Sequence, residues 1–494
     1  MKSRIVLNIG KNKKKIDPCI YGHFAEHIGG VIYDGIWVGK DSKVRNYNGF
    51  RAELVDKLKK INPPVIRWPG GCYAETYNWR DGIGENRAVR RGWWYESDGM
   101  TEPNTVGTHE FVDFCRMVGA EPYFAVNITS GTPMDAREWI EYCNTENTSP
   151  AKEREKNGSR DSFRIKYWGI GNENWGGGGN MRPEYFADLY RIYSVVTYNV
   201  DSNTELICGG ANASDYDWTR RVLENLSQSH KHMHGYSVHF YCADEGKNQT
   251  LEFSDNEWYQ QINQAKRIDE IINTHWGIIK SYNMEDCAKL VIDEWGAWHH
   301  DMTPFDKKHL YAQQATMREA MVSAVTFNIF NNNCDKVRMA NAAQLVNCIH
   351  SLFLSCGDKC ITTPIYHVFD MYKGHQGGTV IETVVDNKGI EFTDRQKNVC
   401  LLDMLSVSAS EKEGNITLTV ANVSLDEDAA VTLDTGNFEI DGDIKISLLN
   451  SNDVHDCNTF ENPEKITVGA QVTAENGCIV IPKASIALIT FSYR

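Results

Sequence analysis

Two segments of the sequence place a glutamate beside a tryptophan at the end of a short hydrophobic run. The first is FRIKYWGIGNENWG (163–176), which carries Glu173, and the second is KLVIDEWG (289–296), which carries Glu294. A facing pair of carboxyl groups suits glycoside hydrolysis, because one can attack the anomeric carbon while the other protonates the leaving oxygen. The acid then needs the drier surroundings, since burial raises a carboxyl pKa, and the nucleophile must stay ionised.

Each glutamate taken singly has a structural interpretation as well, as a charge at a strand end that is paired with an arginine. Asn172 stands directly before Glu173, and both glutamates end strand-like runs. Taken together, these features favour the catalytic interpretation over two independent structural ones.

Eight short runs rich in β-branched and aromatic residues could position these carboxylates. They are Ile20–Phe24, Pro64–Trp68, Pro122–Asn127, Ile165–Gly169, Leu206–Gly209, Tyr236–Tyr241, Leu290–Glu294 and Arg338–Gln344. Amphipathic segments such as Arg51–Ile61, Thr108–Val118 and Tyr311–Val325 lie between them, with apolar residues at helical spacing. Eight strands, nearly all followed by a helix, predict an α/β fold, a (β/α)8 TIM barrel over residues 16–376. Its strand ends would place both glutamates at one mouth. The alternative, a doubly wound sheet, favours a glycine-rich turn after the first strand, which this sequence lacks.

The pattern changes after about Gly377. Alternating apolar and polar residues, separated by Asp, Asn and Gly turns, occur in Asn415–Val423, Asp443–Leu449, Lys465–Val472 and Ile486–Ser492. This pattern predicts a C-terminal antiparallel β-sandwich, jelly-roll-like, over residues 377–494. Residues 1–15 contain a strand-like run, Ser3–Ile9, which we expect to join that sandwich.

Composition limits the partners and the compartment. The 494 residues carry a net charge of −15, which disfavours nucleic acid as a partner. No run of about 20 apolar residues occurs, so no membrane partner is expected. The 14 cysteines contain no CxxC pair, and the first residues lack the apolar run of a signal peptide. These features favour a cytoplasmic protein with reduced thiols.

Five motifs together resemble glycoside hydrolase family 51. They are RWPGG (67–71), NWRDGIG (78–84), GNENWG (171–176), VHFY (238–241) and DEWG (293–296). Typical members are retaining α-L-arabinofuranosidases with catalytic glutamates on barrel strands four and seven, and the resemblance covers the chain from Tyr21 to the sandwich. It implies an exo-acting enzyme that releases arabinofuranosyl groups from arabino-oligosaccharides or arabinoxylan fragments. It also implies a homo-oligomer, commonly a hexamer, with no cofactor and no metal requirement.

The resemblance assigns roles to individual residues. Glu173 would be the acid/base and Glu294 the nucleophile. Substrate-binding roles fall on Glu26 and Asn172 at sugar hydroxyls, Arg67 and Tyr241 at the nucleophile, His239 at the acid/base, and Trp298 and Gln344 around the sugar. Cys72 stands where the best-described members carry an asparagine that contacts the sugar. Because a thiol is a weak hydrogen-bond partner, this exchange bears on fine substrate preference.

The segment 85–108 is long for a loop between a strand and a helix, and long loops are often functional. It carries Trp93, Trp94 and Tyr95, so we expect it to form the leaving-group side of the cleft. Two other functions remain open for the whole chain: an endo-acting glucanase or xylanase on the same barrel, and a non-catalytic carbohydrate-binding protein. A nicotinamide-dependent oxidoreductase is disfavoured, since Asn174 occupies the third glycine position of a dinucleotide-binding motif.

Overall fold

Eight parallel strands, β1 to β8, close into a barrel in the computed structural model. The model describes residues 2–11, 13–227, 232–243, 249–299, 305–306, 308–469 and 478–494. The strands are β1 (Gly22–Phe24), β2 (Val65–Trp68), β3 (Glu121–Val126), β4 (Tyr167–Ile170), β5 (Glu205–Asn212), β6 (Gly235–Ala243), β7 (Leu290–Trp298) and β8 (Val337–Ala343). Each strand pairs with its neighbour in sequence, and β8 pairs with β1 to close the ring. The predicted TIM barrel is confirmed, with all eight strands at the predicted places along the chain.

Helices surround the barrel. They are α1 (Ala52–Ile61), α2 (Tyr95–Asp98), α3 (Thr108–Val118), α4 (Pro133–Asn144), α5 (Ser149–Lys156), α6 (Pro183–Tyr198), α7 (Tyr216–Leu226), α8 (Asp255–Lys266), α9 (Ile268–Ser281), α10 (Met317–Asn332) and α11 (Pro364–Tyr372). The helix predicted from Tyr311 begins only at Met317. Thr316 caps it, because its hydroxyl accepts from the Arg318 amide and its own amide donates to the Glu319 carboxylate.

A layer of side chains fills the barrel below its mouth. It contains Cys19 and six strand residues: Val65, Tyr123, Tyr167, Ile207, Val291 and Met339. Inward-pointing side chains of several strands meet in this way in a packed barrel core. The layer leaves the carboxyl ends of the strands as the face on which a site can form.

A second core lies in an eight-stranded sheet built mainly from the C-terminal part of the chain. Its strand order is Ile440–Leu449, Ser485–Tyr493, Asn415–Asn422, Leu405–Lys412, Thr379–Val385, Lys2–Asn8, Ala429–Asp434 and Cys478–Ile481. Thr379–Val385 pairs with Leu405–Lys412 through its first residues and with Lys2–Asn8 through its last ones. The chain thereby passes from one half of the sheet to the other, and both halves bury apolar residues in a common core.

The pairing is antiparallel throughout this sheet except between Lys2–Asn8 and Ala429–Asp434. The predicted C-terminal antiparallel domain is confirmed, and the predicted N-terminal strand lies inside it. The strand predicted at Lys465–Val472 is wrong for residues 465–469, where Val468 makes a single bridge to Leu449. The remainder of that segment lies outside the described residues.

Polar contacts join the barrel to the second domain. The side-chain amides of Asn328 and Asn331 on α10 donate to the hydroxyls of Ser406 and Ser408 at 3.1 and 3.0 Å. The predicted division into residues 1–15, 16–376 and 377–494 agrees with the places of the barrel strands and of the second sheet along the chain, and it stays a proposal. Within the described ranges, no helix has both the length and the apolar content to cross a membrane.

Candidate active site

Glu173 and Glu294 meet at the carboxyl ends of the barrel strands. Glu294 lies within β7, whereas Glu173 lies three residues beyond β4, in a turn where its φ is +44°. One side-chain atom each from Glu173, His239 and Glu294 lie within 4.8 Å of one another. The two carboxyl groups are therefore close enough to act on the same bond.

Glu294 is held by two donors from neighbouring strands. Arg67 on β2 donates from Nη1 to Oε1 at 2.8 Å, and Tyr241 on β6 donates its hydroxyl to Oε2 at 2.8 Å. Burial would lower the pKa of Arg67, but the charges of Asp293 and Glu294 outweigh burial and hold it above its ordinary value. Arg67 therefore stays charged, and the Glu294 carboxylate has a permanent counter-ion.

Glu173 interacts with a different pair of side chains. His239 Nδ1 lies 3.0 Å from Oε1, and the Cys72 thiol donates to Oε2 at 3.5 Å. Burial alone would raise the pKa of Glu173, yet the hydrogen bond and charge of His239 lower it below its ordinary value. This is opposite to the direction expected for the acid, and the cause is the adjacent histidine.

The two pKa shifts favour a proton on His239 over one on Glu173. Burial would lower the pKa of His239, but Glu294 and Glu173 raise it above the usual histidine value. A proton on His239 is then one hydrogen bond away from Glu173. The two groups titrate as a pair rather than as separate residues.

Asn172 carries a donor that faces no protein acceptor. Arg67 Nη2 donates to Asn172 Oδ1 at 2.6 Å, which fixes the orientation of the amide. Its Nδ2 is buried and has no hydrogen-bond partner among the described residues. A buried donor without a partner is unfavourable, so this nitrogen is suited to a hydroxyl of a bound ligand.

Glu26 and Gln344 form one wall of the site. Glu26 Oε1 accepts from the backbone amides of Gly71 at 2.8 Å and Tyr73 at 3.2 Å, and Gln344 Nε2 donates to Oε2 at 3.2 Å. The segment after β2 can approach so closely because Gly71 has no side chain. A Cβ there would lie 2.5 Å from Glu294 Oε1. Burial and the nearby Glu294 raise the pKa of Glu26 to about 8.

These groups surround a cavity of about 110 Å³. Its lining includes seven predicted site residues: Glu26, Cys72, Glu173, Tyr241, Glu294, Trp298 and Gln344. Trp298 packs edge-on against Tyr241, with ring centroids 5.0 Å apart. Of the other predicted residues, Arg67 and His239 are bonded to lining carboxylates, and Asn172 is bonded to Arg67. The structure thus brings all the predicted site residues together, and their chemical roles stay predictions.

Some lining residues could not be found from the sequence. Tyr311 lies in a stretch predicted to be helical, and Cys348 and Ile349 belong to no recognisable motif. Ile28 follows Glu26 by two residues, but an apolar side chain gives no chemical signal of a site. Glu75 is buried behind Asn172 and accepts a hydrogen bond from its backbone amide. A glutamate inside a short 3₁₀ turn gives no sequence signal for such a contact.

The long segment 85–108 reaches the cavity through one of its three aromatic residues. Trp94 contributes to the lining, whereas Trp93 is exposed and Tyr95 packs beneath the Arg91 guanidinium. The segment is anchored at Glu102, which is bonded to His27 Nδ1 at 2.6 Å and accepts from the Tyr33 hydroxyl. The place of this segment on the leaving-group side stays a prediction, and Trp94 is the one of its three aromatic residues that lines the cavity.

A parallel barrel with two carboxylates this close together at its mouth is the arrangement that retaining glycoside hydrolases use. Two family models match the chain: the alpha-L-arabinofuranosidase 1 domain over residues 57–267, and the alpha-L-arabinofuranosidase C-terminal domain over residues 293–485. The chain is 37% identical to an intracellular exo-alpha-L-arabinofuranosidase of Bacteroides ovatus, over 93% of this chain and 89% of that protein.

Solved structures agree. A GH51 arabinofuranosidase from Xanthomonas axonopodis pv. citri superposes with a TM-score of 0.93 at 32% identity, covering 99% of this chain and 100% of that one. The arabinose complex of an alpha-L-arabinofuranosidase from Thermotoga maritima gives 0.86 at 27% identity, with coverage of 99% and 100%. The chain belongs to glycoside hydrolase family 51.

The raised pKa of Glu26 predicts a pH-dependent difference in stability between the native chain and Glu26→Gln. Folding favours the neutral form of Glu26. The stability that the neutral form contributes is therefore fully present below the ordinary glutamate pKa of 4.5 and is lost as the pH rises through about 8. The glutamine variant stays neutral throughout. Urea unfolding of both proteins across this range should show the native chain losing stability relative to the variant, by at most about 1.4 kcal/mol per pH unit. A difference that does not change with pH would contradict the raised pKa.

Proposed function

We propose that this chain is a retaining, exo-acting α-L-arabinofuranosidase that removes terminal arabinofuranosyl groups from arabino-oligosaccharides or arabinoxylan fragments. The observation that carries the proposal is the approach of Glu173 and Glu294 side-chain atoms to within 4.8 Å. A closest approach of this size suits retaining enzymes, whose carboxyl groups lie roughly 5–5.5 Å apart, better than inverting enzymes, which need about 6.5–9.5 Å to admit a water. The proposal requires no cofactor and no metal.

In the first step, Glu294 attacks the anomeric carbon and the bond to the leaving oxygen breaks. Arg67 and Tyr241 each occupy one oxygen of the Glu294 carboxylate, which fixes its orientation. Asn172 Nδ2 can donate to the sugar 2-hydroxyl, a contact that strengthens as the ring approaches an oxocarbenium ion. The product of this step is a covalent glycosyl-enzyme ester on Glu294.

Glu173 gives a proton to the leaving oxygen in the same step. The proton held on His239 can pass along the 3.0 Å hydrogen bond to Glu173 as negative charge develops on that oxygen. Once Glu294 is esterified its charge is gone, and this charge is a main cause of the raised pKa of His239. The pair then loses its proton more readily, so Glu173 can take a proton from the water that releases the sugar.

The size of the cavity supports exo action. Its volume of about 110 Å³ lies well below the ~300–1,000 Å³ of pockets that hold drug-sized ligands. Trp94, Trp298 and Tyr311 wall it off, and Glu26 with Gln344 closes another side. An endo-acting glucanase or xylanase needs an open groove with room on both sides of the bond. A non-catalytic binding protein does not need both carboxylates, and both are present and fully hydrogen-bonded.

We further propose a cytoplasmic location. The Bacteroides ovatus relative is named intracellular, and all 14 cysteines of this chain are free thiols, as expected in a reducing compartment. Assembly into a homo-oligomer, which is commonly a hexamer in this family, is proposed from the family resemblance alone.

Replacing the proposed nucleophile provides the first test. Glu294→Ala should reduce turnover of an aryl α-L-arabinofuranoside by at least about 10⁴-fold, since no covalent intermediate can form. Azide should restore turnover by attacking from the vacated side, and the product should be the β-glycosyl azide, with inverted configuration. Proton NMR of the product decides its configuration. An α-azide, or no rescue, would argue against Glu294 as the nucleophile.

Replacing the proposed acid should separate substrates by their leaving groups. Glu173→Ala should slow the first step by about 10²–10⁴-fold for natural arabinosides, whose leaving alkoxide needs a proton. An aryl substrate with an acidic phenol should lose much less in that step. Pre-steady-state release of the phenol measures it directly, and equal losses on both substrates would remove the acid assignment.

A further inference from the structure

Glu75 lies outside the cavity but is bonded to the segment that carries Glu173. It belongs to the 3₁₀ turn Cys72–Thr76, and its side chain is fully buried. Its Oε1 accepts from the Asn172 backbone amide at 2.7 Å and from Asn174 Nδ2 at 3.0 Å. Its Oε2 accepts from the backbone amides of Ile128 and Thr129, both at 2.9 Å. One carboxylate thus receives four hydrogen bonds from two different loops.

Two of these donors flank the proposed acid/base. Glu173 stands between Asn172 and Asn174, and its φ of +44° falls in the left-handed region that a residue with a side chain rarely adopts. Such a conformation persists only where the surroundings impose it. Fixing the residue on each side of Glu173 is a direct way to impose it.

Further contacts extend this arrangement to the glycine-rich stretch that follows. Asn174 Nδ2 also donates to the Gly178 carbonyl at 2.7 Å, and the Thr129 hydroxyl donates to the same carbonyl at 2.6 Å. The turn from 172 to 178 is therefore bonded both to Glu75 and to the loop after β3. Cys72, whose thiol donates to Glu173, lies in the same 3₁₀ turn as Glu75.

We propose that Glu75 is a positioning residue for the acid/base: by holding Asn172 and Asn174 it sets the direction of the Glu173 carboxyl, and with it the efficiency of proton transfer to the leaving group. This rests on the proposed role of Glu173. Glu75 does not touch the sugar. Its carboxylate suits the task because all four of its neighbours are donors, and an amide nitrogen in place of either oxygen would face N–H groups.

The test compares Glu75→Gln with the native chain on two aryl α-L-arabinofuranosides, one with an acidic phenol and one with a weakly acidic phenol. The variant keeps the shape of the side chain but replaces one acceptor with a donor. We expect kcat/KM for the weakly acidic leaving group to fall by about 10–100-fold, part of the full effect of general acid catalysis. The loss for the acidic phenol should be at least several-fold smaller.

The matched control is Glu205→Gln, at the amino-terminal end of β5, where Glu205 is bonded to Arg338 and pairs with Lys166 at 3.0 Å. It likewise replaces a hydrogen-bonded carboxylate by an amide, but at the opposite end of the barrel from the site, where the partners of the carboxylate are charged. Any loss in this variant should be the same for both leaving groups. It thereby measures the effect of a weakened fold without a change at Glu173.

A double variant separates positioning from a merely structural role. In the Glu173→Ala background, Glu75→Gln should not increase the difference between the two phenols any further, because the group that it positions is gone. Equal losses on both phenols in Glu75→Gln, or no loss, would overturn the proposal. Should Glu75→Gln fail to fold, Asn174→Ala removes one of the four bonds, and the same comparison of the two phenols decides.

The two proposals fail in different ways. If Glu173→Ala does not discriminate between the phenols, the role of Glu173 is wrong and the proposed mechanism falls with it. If Glu173→Ala discriminates and Glu75→Gln does not, only the positioning role of Glu75 is wrong.

Discussion

The guanidinium of Arg67 joins the parts of the site. Nη1 donates to Glu294 and Nη2 to Asn172, so one rigid planar group fixes the residue before Glu173 relative to the carboxylate on β7. Asp293 lies behind it, with Oδ2 4.0 Å from Arg67 Nε, and accepts from the hydroxyl of Tyr123 at 3.0 Å. Removing one member of such a buried group leaves the others unpaired, which is strongly destabilising.

The charges around this centre account for the chemistry. Three acidic groups, Glu26, Glu173 and Glu294, share a small buried space with Arg67 and His239. Arg67 stays charged, and Glu294 and Glu173 raise the pKa of His239, which favours its charged form. The raised pKa of Glu26 favours its neutral form, and this form reduces the repulsion among the three carboxyl groups. Loss of the Glu294 charge in the glycosyl-enzyme would therefore change the protonation of its neighbours, as the two-step mechanism requires.

Much of this could be predicted from the sequence, because the signals are local. The alternation of strands and helices predicts the barrel. The position of Glu294 at the end of a hydrophobic run predicts that this residue lies at the mouth of the barrel. The start of α10 could not be predicted, since the cap that Thr316 provides to the helix outweighs an apolar pattern that continues upstream. Val468 makes only one bridge although its segment alternates like a strand.

The unpredicted parts of the site depend on contacts between distant segments. The lowered pKa of Glu173 depends on His239, which lies on another strand, and the contacts of Glu75 join it to Ile128 and Asn172 far along the chain. Backbone amides carry no residue identity, so a motif cannot reveal them as donors. The resemblance to the family named the side chains at the sugar, whereas the group that holds the turn of Glu173 emerged only from the fold.

The most direct test of the account is the configuration of the first-formed product. Proton NMR can follow hydrolysis of an aryl α-L-arabinofuranoside by the native chain within the first turnovers, before the released sugar equilibrates. Double displacement by Glu294 and then water predicts that α-L-arabinofuranose appears first. Initial appearance of the β anomer would show single displacement by water, and would contradict the role drawn from the close approach of the two carboxylates.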